Sequence, residues 1–533
     1  KSIFKDKKGS IWIGTYYGGL NIWDDTNVNF INYKEEKDNN GLSYDVISSI
    51  ENYKNEKLFI GTEGGGITIL NIKEKTTKYI NKKNYSQLSN DNIKSLFLAN
   101  NDKLWIGTVN TGIAVYDIKK NKFTNELISE ELKKELQDVG VYAIKKDSKN
   151  QLWIGTFGKG LLSYKIDNKI FKTFKNDKKD INTISNNLIR GITIDSKNNV
   201  WVATQRGLNL IEKSNIISRF FYNNNVESGD DISTIFEDSK NNIWVGTRAK
   251  GLFKFDGDNF EEIDLSSKKN IVSAVHSILE DDFNNLWIGT NQGVIKYDTK
   301  TKERIVYNQK DGLVDNEFND NASLKLNDSK FFFGTPSGIS SFDTKSLTKN
   351  IYSPQVLITD FKIKNKSVSV NEAQDILENT IEYTEQIELS HEEGIFSIQF
   401  SVPNFINPKN NTYQYRLKEL QSEWTSTKEN VAYYTIQNAG NYTFEVKGAN
   451  SDGVWNEKPT TLNIVVKAAP WKSWWAFLIY ALIIGFSLYY LISISKSRTK
   501  LQDQLEFEHI ENERIEETNK AKLEFFTNIS HEF

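Results

Sequence analysis

Residues 286–290 read "LWIGT", and variants of this five-residue pattern occur eight times before residue 336. The fourth position is glycine in seven copies and alanine in the other, and successive copies lie 43 to 48 residues apart. The copies occupy residues 11–15, 58–62, 104–108, 152–156, 200–204, 243–247, 286–290 and 331–335. A period in the forties, built from short apolar strands between polar turns, predicts a β-propeller with one four-stranded blade per copy.

The tryptophan at the second position of the pattern has two interpretations. It could form a stack of ligand-binding aromatic rings, or it could wedge between neighbouring blades. An aromatic residue that repeats with the blade usually packs the blade, so we expect Trp244, Trp287 and their counterparts to be structural. A binding site should then consist of residues that break the repeat.

The number of blades follows from where the copies lie. Seven copies occupy roughly residues 30–350, which is enough for one closed ring. We therefore predict propeller repeats over residues 1–350 with seven blades, and we interpret residues 1–30 as the remnant of a preceding propeller. A single eight-bladed ring is the alternative.

Residues 351–468 lack the repeat and contain short segments with alternating apolar positions, such as "IFSIQFSV" at residues 395–402. This pattern predicts an Ig-like β-sandwich. Its aromatic residues form either a carbohydrate-stacking surface or, as we expect, part of the core; they are Tyr413, Tyr415, Trp424, Tyr433, Tyr434 and Tyr442.

Two acidic clusters resemble fragments of metal sites. They are His391 with Glu392 and Glu393, and the stretch "DGDNFEE" at residues 256–262. Each is local and lacks convergent partners from elsewhere in the sequence, so we interpret both as polar turns and predict no metal site.

Residues 474–494 form an uncharged segment of 21 residues, long enough to cross a membrane as a helix. Trp474 and Trp475 at one end and Tyr489 and Tyr490 towards the other suit the membrane interfaces. Three positive charges follow directly, at Lys496, Arg498 and Lys500. The positive-inside rule therefore predicts that residues 495–533 are cytoplasmic and that residues 1–473 lie outside, in the periplasm of a two-membrane cell.

Residues 495–533 contain no Gly or Pro and are rich in Glu, Lys and Leu, which predicts a helix like that of a coiled coil. A parallel homodimer would continue two membrane helices into the cytoplasm, and a single solvated helix is the alternative. The segment ends in "FFTNISHEF", where His531 is followed by Glu532. Neutral imidazole can attack a phosphoryl group, and an adjacent carboxylate can assist proton transfer.

Composition excludes several other functions. The net charge is −3 with Lys and Arg spread along the chain, which does not suggest a nucleic-acid surface. The chain has no Cys, so it has no disulfides, thiol nucleophile or Cys-ligated zinc.

"FFTNISHEF" resembles the start of the phosphoacceptor motif of sensor histidine kinases. The "LWIGT" units resemble two-component-regulator propeller repeats, and residues 413–455 resemble the three-tyrosine domain that follows such repeats. Taken together, the chain resembles the hybrid two-component sensors of glycan-using gut and marine bacteria. The resemblance implies that His531 is the phosphorylated histidine and Glu532 its assisting acid/base.

The resemblance also implies features outside these residues. Members of the family carry two tandem seven-bladed rings, which would explain the first copy of the repeat. ATP-binding, receiver and DNA-binding domains are expected downstream, with ATP and Mg²⁺ as cofactors of the kinase domain, so this fragment should bind no cofactor and be inactive alone. The implied ligand is an oligosaccharide, and the implied location is the cytoplasmic membrane. A membrane-anchored propeller that binds or scaffolds without kinase output is the alternative.

Overall fold

The computed structural model describes residues 2–530, except 7–8, 25–29, 37–39, 100–101, 215, 223–229, 267–270, 348–352, 354, 371–375, 406–407, 409–410 and 452. It contains two compact units, Lys1–Lys349 and Asn350–Phe533.

The first unit begins with a separate three-stranded antiparallel sheet of β1 (Ser2–Lys5), β2 (Ile11–Gly14) and β3 (Leu20–Trp23). This sheet contains the first copy of the repeat. Large apolar side chains on it are exposed, including those of Phe4, Leu20 and Trp23. Strand β4 (Ile31–Tyr33) follows but pairs elsewhere.

Six consecutive four-stranded antiparallel sheets then form blades one to six. Blade one consists of β5 (Ile47–Tyr53), β6 (Lys57–Thr62), β7 (Ile67–Asn71) and β8 (Thr76–Ile80), and blade two of β9 (Ile93–Ala99), β10 (Lys103–Thr108), β11 (Ile113–Asp117) and β12 (Lys122–Phe123). Blade three consists of β13 (Gly140–Lys146), β14 (Gln151–Phe157), β15 (Leu161–Lys165) and β16 (Ile170–Phe174), and blade four of β17 (Ile189–Ile194), β18 (Val200–Thr204), β19 (Gly207–Ile211) and β20 (Ile217–Phe220). Blade five consists of β21 (Ile232–Glu237), β22 (Ile243–Thr247), β23 (Leu252–Phe255) and β24 (Phe260–Ile263), and blade six of β25 (Val275–Glu280), β26 (Asn285–Thr290), β27 (Gly293–Asp298) and β28 (Arg304–Tyr307). A short helix, α1 (Glu130–Glu135), lies between blades two and three.

Blade seven combines the two ends of the repeat region. Strands β29 (Ser323–Leu326), β30 (Lys330–Thr335) and β31 (Gly338–Asp343) receive β4 as their fourth strand. The innermost strand of each blade contacts that of the next, and β29 contacts β5, so the ring closes. The prediction of seven blades is confirmed, and the eight-bladed alternative is wrong because the first copy lies in the separate sheet.

The motif residues pack neighbouring blades together. A Cβ on Gly107 would lie 2.5 Å from the carbonyl oxygen of Val141 in the next blade, so only glycine allows this approach. The tryptophans are buried, with Trp105 and Trp287 0% exposed. Trp105, for example, packs edge to face with Tyr164 of the following blade, with ring centroids 6.4 Å apart. The tryptophans are therefore structural, as the repeat indicates.

The second unit contains a β-sandwich and a long helix. Its strands are β32 (Leu357–Ile363), β33 (Lys366–Ser367), β34 (Gln386–Leu389), β35 (Ile395–Ser401), β36 (Thr412–Leu417), β37 (Thr425–Thr427), β38 (Val431–Thr435), β39 (Gly440–Ala449) and β40 (Thr460–Val466). One sheet has the order β33-β32-β35-β38 and the other β34-β40-β39-β36-β37. Short 3-10 helices occur at Ile381–Tyr383 and Pro470–Lys472 here, and at Gln309–Asp311 in the ring.

Helix α2 (Trp474–Ser530) runs for 57 residues. Among the described residues it is the one helix long and apolar enough to cross a membrane. The predicted segment at residues 474–494 forms its first part, and the helix continues without a break into the charged sequence that follows. The side chains of the apolar segment are almost all exposed, so contacts within this chain do not cover them.

Candidate ligand site at the mouth of the ring

The innermost strands of the ring share an irregularity at one end. In each of the first six blades one extra residue interrupts the pairing with the motif strand as a β-bulge. Bulges of this kind redirect a side chain and are common at barrel rims and beside active sites. The bulged residue stands thirteen positions before the fourth motif residue, and in blade seven the equivalent position is Asn321.

We call this set of seven residues the channel mouth: Ser48, Lys94, Tyr142, Arg190, Ser233, His276 and Asn321. Hydrogen bonds join near-equivalent positions of successive innermost strands, as from Ser95 Oγ to the carbonyl of Val141 and from Thr193 Oγ1 to the carbonyl of Ile235, so these residues occupy one end of the central channel. Their types differ from blade to blade although the flanking positions are repetitive. They are residues that break the repeat, which is where we expect a binding site.

Several residues of the channel mouth take part in ion pairs between blades. Arg190 donates two hydrogen bonds to Asp231, with Nε 3.1 Å from Oδ1 and Nη2 3.0 Å from Oδ2. Lys94 Nζ lies 2.7 Å from Oε1 of Glu63. Each cation thus has a carboxylate partner from a neighbouring blade.

Asp320 contacts two further side chains, those of His276 and Arg248. Its Oδ1 lies 2.6 Å from Nδ1 of His276, and its Oδ2 accepts hydrogen bonds from Nε and Nη2 of Arg248 at 3.1 and 2.5 Å. Burial opposes ionisation of Asp320, but the hydrogen bond and charge of His276, with the charge of Arg248, outweigh it and hold its pKa below the usual range. Asp320 is therefore a carboxylate at neutral pH.

The segment from Asn319 to Asn321 links blade seven to its neighbours, blades one and six, and also to blades four and five. Asn321 Nδ2 donates to the carbonyl oxygens of Ser233 at 3.0 Å and Arg190 at 3.3 Å, and its backbone N–H donates to the carbonyl of His276 at 2.8 Å. Asn319 Nδ2 donates to the carbonyl of Ile47 in blade one at 2.6 Å. Asn321 has φ of 56°, a left-handed conformation that Asn adopts more readily than most residues.

An aromatic pair lies beside these ions. Tyr142 and Phe157 stack with ring centroids 4.9 Å apart and planes 22° from parallel. Lys94 Nζ lies 5.4 Å from the Tyr142 centroid. Phe157 is 43% exposed, so one face of the pair is available to a ligand.

The innermost strands also contain unused hydrogen-bonding capacity. Nε2 of His276, Oγ of Ser48, Oγ of Ser277 and Oδ1 of Asn92 are buried without a partner. In the remaining described residues of the ring, the buried side-chain atoms without a hydrogen-bond partner are Trp105 Nε1 and Ser341 Oγ. Buried polar groups are usually paired, so these four atoms on or beside the innermost strands are exceptions.

Behind the mouth lies a channel cavity of about 460 Å³, lined by the innermost strands and by Asp320 and Asn321. This volume falls in the range of small-molecule sites. Glu51 lines the channel, where burial raises its pKa to about 7 although Lys145 and the backbone N–H of Leu98 favour the charged form.

The residues singled out from the sequence lie elsewhere. His531 and Glu532 fall outside the described residues, and α2 ends at Ser530, directly before them. Phe525 and Phe526 on the last turns of the helix are 63% and 66% exposed.

The aromatic residues of the sandwich are mostly core. Tyr413, Tyr434 and Tyr442 are less than 10% exposed, and the hydroxyl of Tyr442 donates to the carbonyl of Asn438 at 3.0 Å, a tyrosine-corner arrangement. Tyr433 is 67% exposed, and Trp424 lies beneath Arg416 at 4.5 Å and Lys447 at 5.0 Å. They form no common surface for a sugar.

The acidic clusters are engaged in turns. Asp256 Oδ1 accepts hydrogen bonds from the backbone N–H groups of Asp258 and Asn259, and Glu393 accepts one from Ser390. His391 packs edge-on against Trp471, with centroids 4.8 Å apart. The described residues contain no group of three or more potential ligands for a metal ion.

The channel mouth could not be found from the sequence motifs alone. Its signal is a variable position at fixed spacing from the motif, in blades one to six between an apolar residue and a small one. That position gains meaning only when the ring is closed, because Asn321 and Arg190 are 131 residues apart in the sequence.

Comparison with protein families supports this division of the chain. The two-component-regulator propeller model matches residues 135–158, 227–249 and 271–292, which lie around the motif strands of blades three, five and six. The Y_Y_Y domain model matches residues 404–467, within the sandwich.

The chain is 47% identical, over 539 aligned residues, to a curated protein named histidine kinase P4 from Formosa agariphila. The match covers 100% of this chain and 39% of that relative, so the chain spans about two-fifths of its length.

Among solved structures, the extracellular domain of BT3049, named as a hybrid two-component system of B. thetaiotaomicron, superposes with a TM-score of 0.74. The identity is 24%, and the match covers 88% of this chain and 61% of that one. The extracellular domain of BT4673 from the same organism gives a TM-score of 0.49 at 21% identity, over 88% and 63% of the two chains. The first of these shares the fold, and the second adds nothing to that assignment.

Proposed function

We propose that this chain is the sensory and membrane-proximal part of a sensor histidine kinase. The proposal is supported by the matches to two-component-regulator propeller repeats and a Y_Y_Y domain, by the candidate membrane helix and by the similarity to a histidine kinase. In this proposal the ring detects an oligosaccharide outside the cytoplasmic membrane. Detection controls phosphorylation of His531 and, through domains downstream, transcription of genes for glycan use.

The continuity of α2 is the observation that carries the proposal. One helix begins on the apolar segment and reaches Ser530, the residue before His531, without interruption. A displacement or rotation at its first turn can therefore be transmitted to the phosphoacceptor. Lys496, Arg498 and Lys500 support a cytoplasmic position for its second part.

The chemistry at the end of the helix belongs to His531 and Glu532. An imidazole nitrogen of His531 attacks the γ-phosphorus of ATP, the bond from that phosphorus to the bridging oxygen breaks, and ADP leaves. Glu532 accepts or holds the proton on the other ring nitrogen. In this proposal ATP and Mg²⁺ bind in a kinase domain downstream of the phosphoacceptor.

Control of this step requires two arrangements of a homodimer. The ligand must bind one arrangement more tightly, because equal affinity for both would leave their populations unchanged. The paired helices then present His531 to the kinase domain in one arrangement and withhold it in the other.

Transfer of radioactive phosphate from ATP tests this function, measured on the full-length protein, with its kinase domain, in nanodiscs. His531→Gln should abolish the acid-labile label, and His509→Gln, a substitution on the same helix at a residue exposed to solvent, should leave it unchanged. Label that persists in His531→Gln would refute the assignment, and an intact protein without label would favour an anchored binding protein.

A further inference from the structure

We propose that the channel mouth binds an uncharged saccharide unit, which stacks on the Tyr142–Phe157 pair and hydrogen-bonds to the ion-paired side chains around it. This inference rests on the proposed function, which supplies the saccharide. It adds the location of the site and the charge class of the ligand.

The first support is the construction of the site. In blades one to six the same bulged position carries Ser, Lys, Tyr, Arg, Ser and His in turn. A repeat built only for stability would need no such variation, since each blade makes equivalent contacts with the next. Four of these residues, Ser48, Lys94, Tyr142 and Asn321, line a cavity large enough for a small ligand.

The second support is the aromatic pair. Sugar rings have apolar faces of C–H groups, which pack on the face of an aromatic side chain while the hydroxyls remain free for hydrogen bonds. The stack with Tyr142 holds Phe157 at a defined angle, and its 43% exposure leaves a surface for this contact. Rigid aromatic anchors of this kind lose little conformational entropy on binding.

The third support is charge. Arg190, Lys94 and Arg248 each have a carboxylate partner at 3.0 Å or less. A sulfated or uronic ligand would have to break these ion pairs or be repelled by their carboxylates. An uncharged hydroxyl, in contrast, can donate to a carboxylate and accept from a cation while the ion pair stays intact. Paired ions therefore favour a neutral, hydroxyl-rich ligand over an anionic one.

Binding of defined oligosaccharides to the full chain in nanodiscs tests the proposal. Two panels are compared, one of short neutral gluco-, manno-, xylo- and galacto-oligosaccharides and one of their sulfated or uronic counterparts. The Kd of the tightest binder is then measured by calorimetry for the wild type, Phe157→Ala and Phe283→Ala. Phe283 is a matched control because it is 66% exposed and lies in a turn between the inner and motif strands of blade six, away from the channel mouth.

We expect binding from the neutral panel, a Kd weakened about tenfold by Phe157→Ala, and no change with Phe283→Ala. Phe157→Tyr, which keeps the aromatic face, should bind like the wild type. An unchanged Kd in Phe157→Ala would place the site elsewhere. Binding of the charged panel alone, or no binding of either panel, would overturn the proposed ligand class. None of these results bears on labelling of His531, so the kinase proposal stands or falls separately.

Discussion

At the scale of single residues, the repeated tryptophan owes its position to an aspartate six residues earlier. Asp281 accepts hydrogen bonds from Trp287 Nε1 at 2.9 Å, from the amide of Asn285 and from two backbone N–H groups. Equivalent bonds occur at Trp153, Trp201 and Trp244. Blade two has Ala99 instead, which explains why Trp105 Nε1 has no partner.

We therefore expect Asp281→Ala to destabilise the ring by about 2–4 kcal/mol, because it leaves several buried donors unpaired. The free energy of unfolding can be followed by tryptophan fluorescence in urea. Asp282→Ala is the control, since Asp282 is partly exposed and, among the described residues, forms ion pairs with Lys325 and Lys345 at the surface. Equal losses in the two variants would contradict this role for the aspartate.

Glu51 should make stability depend on pH. Its pKa is about 7 in the folded chain and near that of free glutamate, about 4, when unfolded, so the folded state binds more protons between these values. The free energy of unfolding then falls as pH rises through this window, and the cost is complete above pH 7. Glu51→Gln should be more stable than the wild type at pH 8, by on the order of 2 kcal/mol, and equally stable near pH 4.

Chemical denaturation at the two pH values measures this difference. Glu56→Gln, an exposed substitution in the adjoining turn, should change stability at neither pH. A gain from Glu51→Gln that is the same at both values would mean that ionisation of Glu51 is not its cause.

At the scale of elements, the sequence predicts most of the fold because the motif period marks each blade. Strand β4 is the exception: "INY" is too short to identify as a strand, and its partner β31 lies about 300 residues later. The parallel pairing of β34 with β40 is likewise a long-range contact that local patterns do not encode. The channel mouth escaped prediction for the same reason, since its side chains converge only through closure of the ring.

Closure by β4 gives a test by truncation. Deleting residues 1–24 removes the separate sheet β1–β3, whose apolar side chains are largely exposed, and should leave the thermal unfolding of the ring unchanged. Deleting residues 1–34 also removes β4, leaves β31 as an unpaired edge and should lower the melting temperature and promote aggregation. Similar behaviour of the two truncations would show that β4 does not close the ring.

At the scale of the whole molecule, the absence of cysteine makes membrane topology directly measurable. Single-cysteine variants at Ser148, in an exposed turn of the ring, and Ser497, in α2, each carry one thiol. In intact spheroplasts an impermeant maleimide should label Ser148→Cys at once and Ser497→Cys only after lysis. The reverse pattern would place the ring in the cytoplasm and exclude a sensor that faces outward.

The same cysteine-free chain tests whether two copies of α2 pair in the membrane. Helices approach most closely where side chains are small, and Ala481 and Gly485 lie four residues apart on one face, with nothing within 4 Å of a Cβ added to Gly485. Leu488 and Ile492 continue that face, because 3.6 residues complete a turn. Single cysteines at these two positions should form disulfide-linked dimers under mild oxidation, and those at Ile483 and Tyr490, on the opposite face, should not.

A dimer that responds to ligand should also change this pattern. Because a rotation of the helices alters which face is buried, saturating oligosaccharide should move the strongest cross-linking to neighbouring positions around the helix. A ligand with equal affinity for both arrangements should leave the cross-linking pattern unchanged. Quantifying the dimer band with and without ligand measures the shift. Cross-linking that is uniform around the helix would rule out a specific pair, and a periodic pattern unaffected by ligand would leave α2 as a dimer contact that carries no signal to its cytoplasmic end.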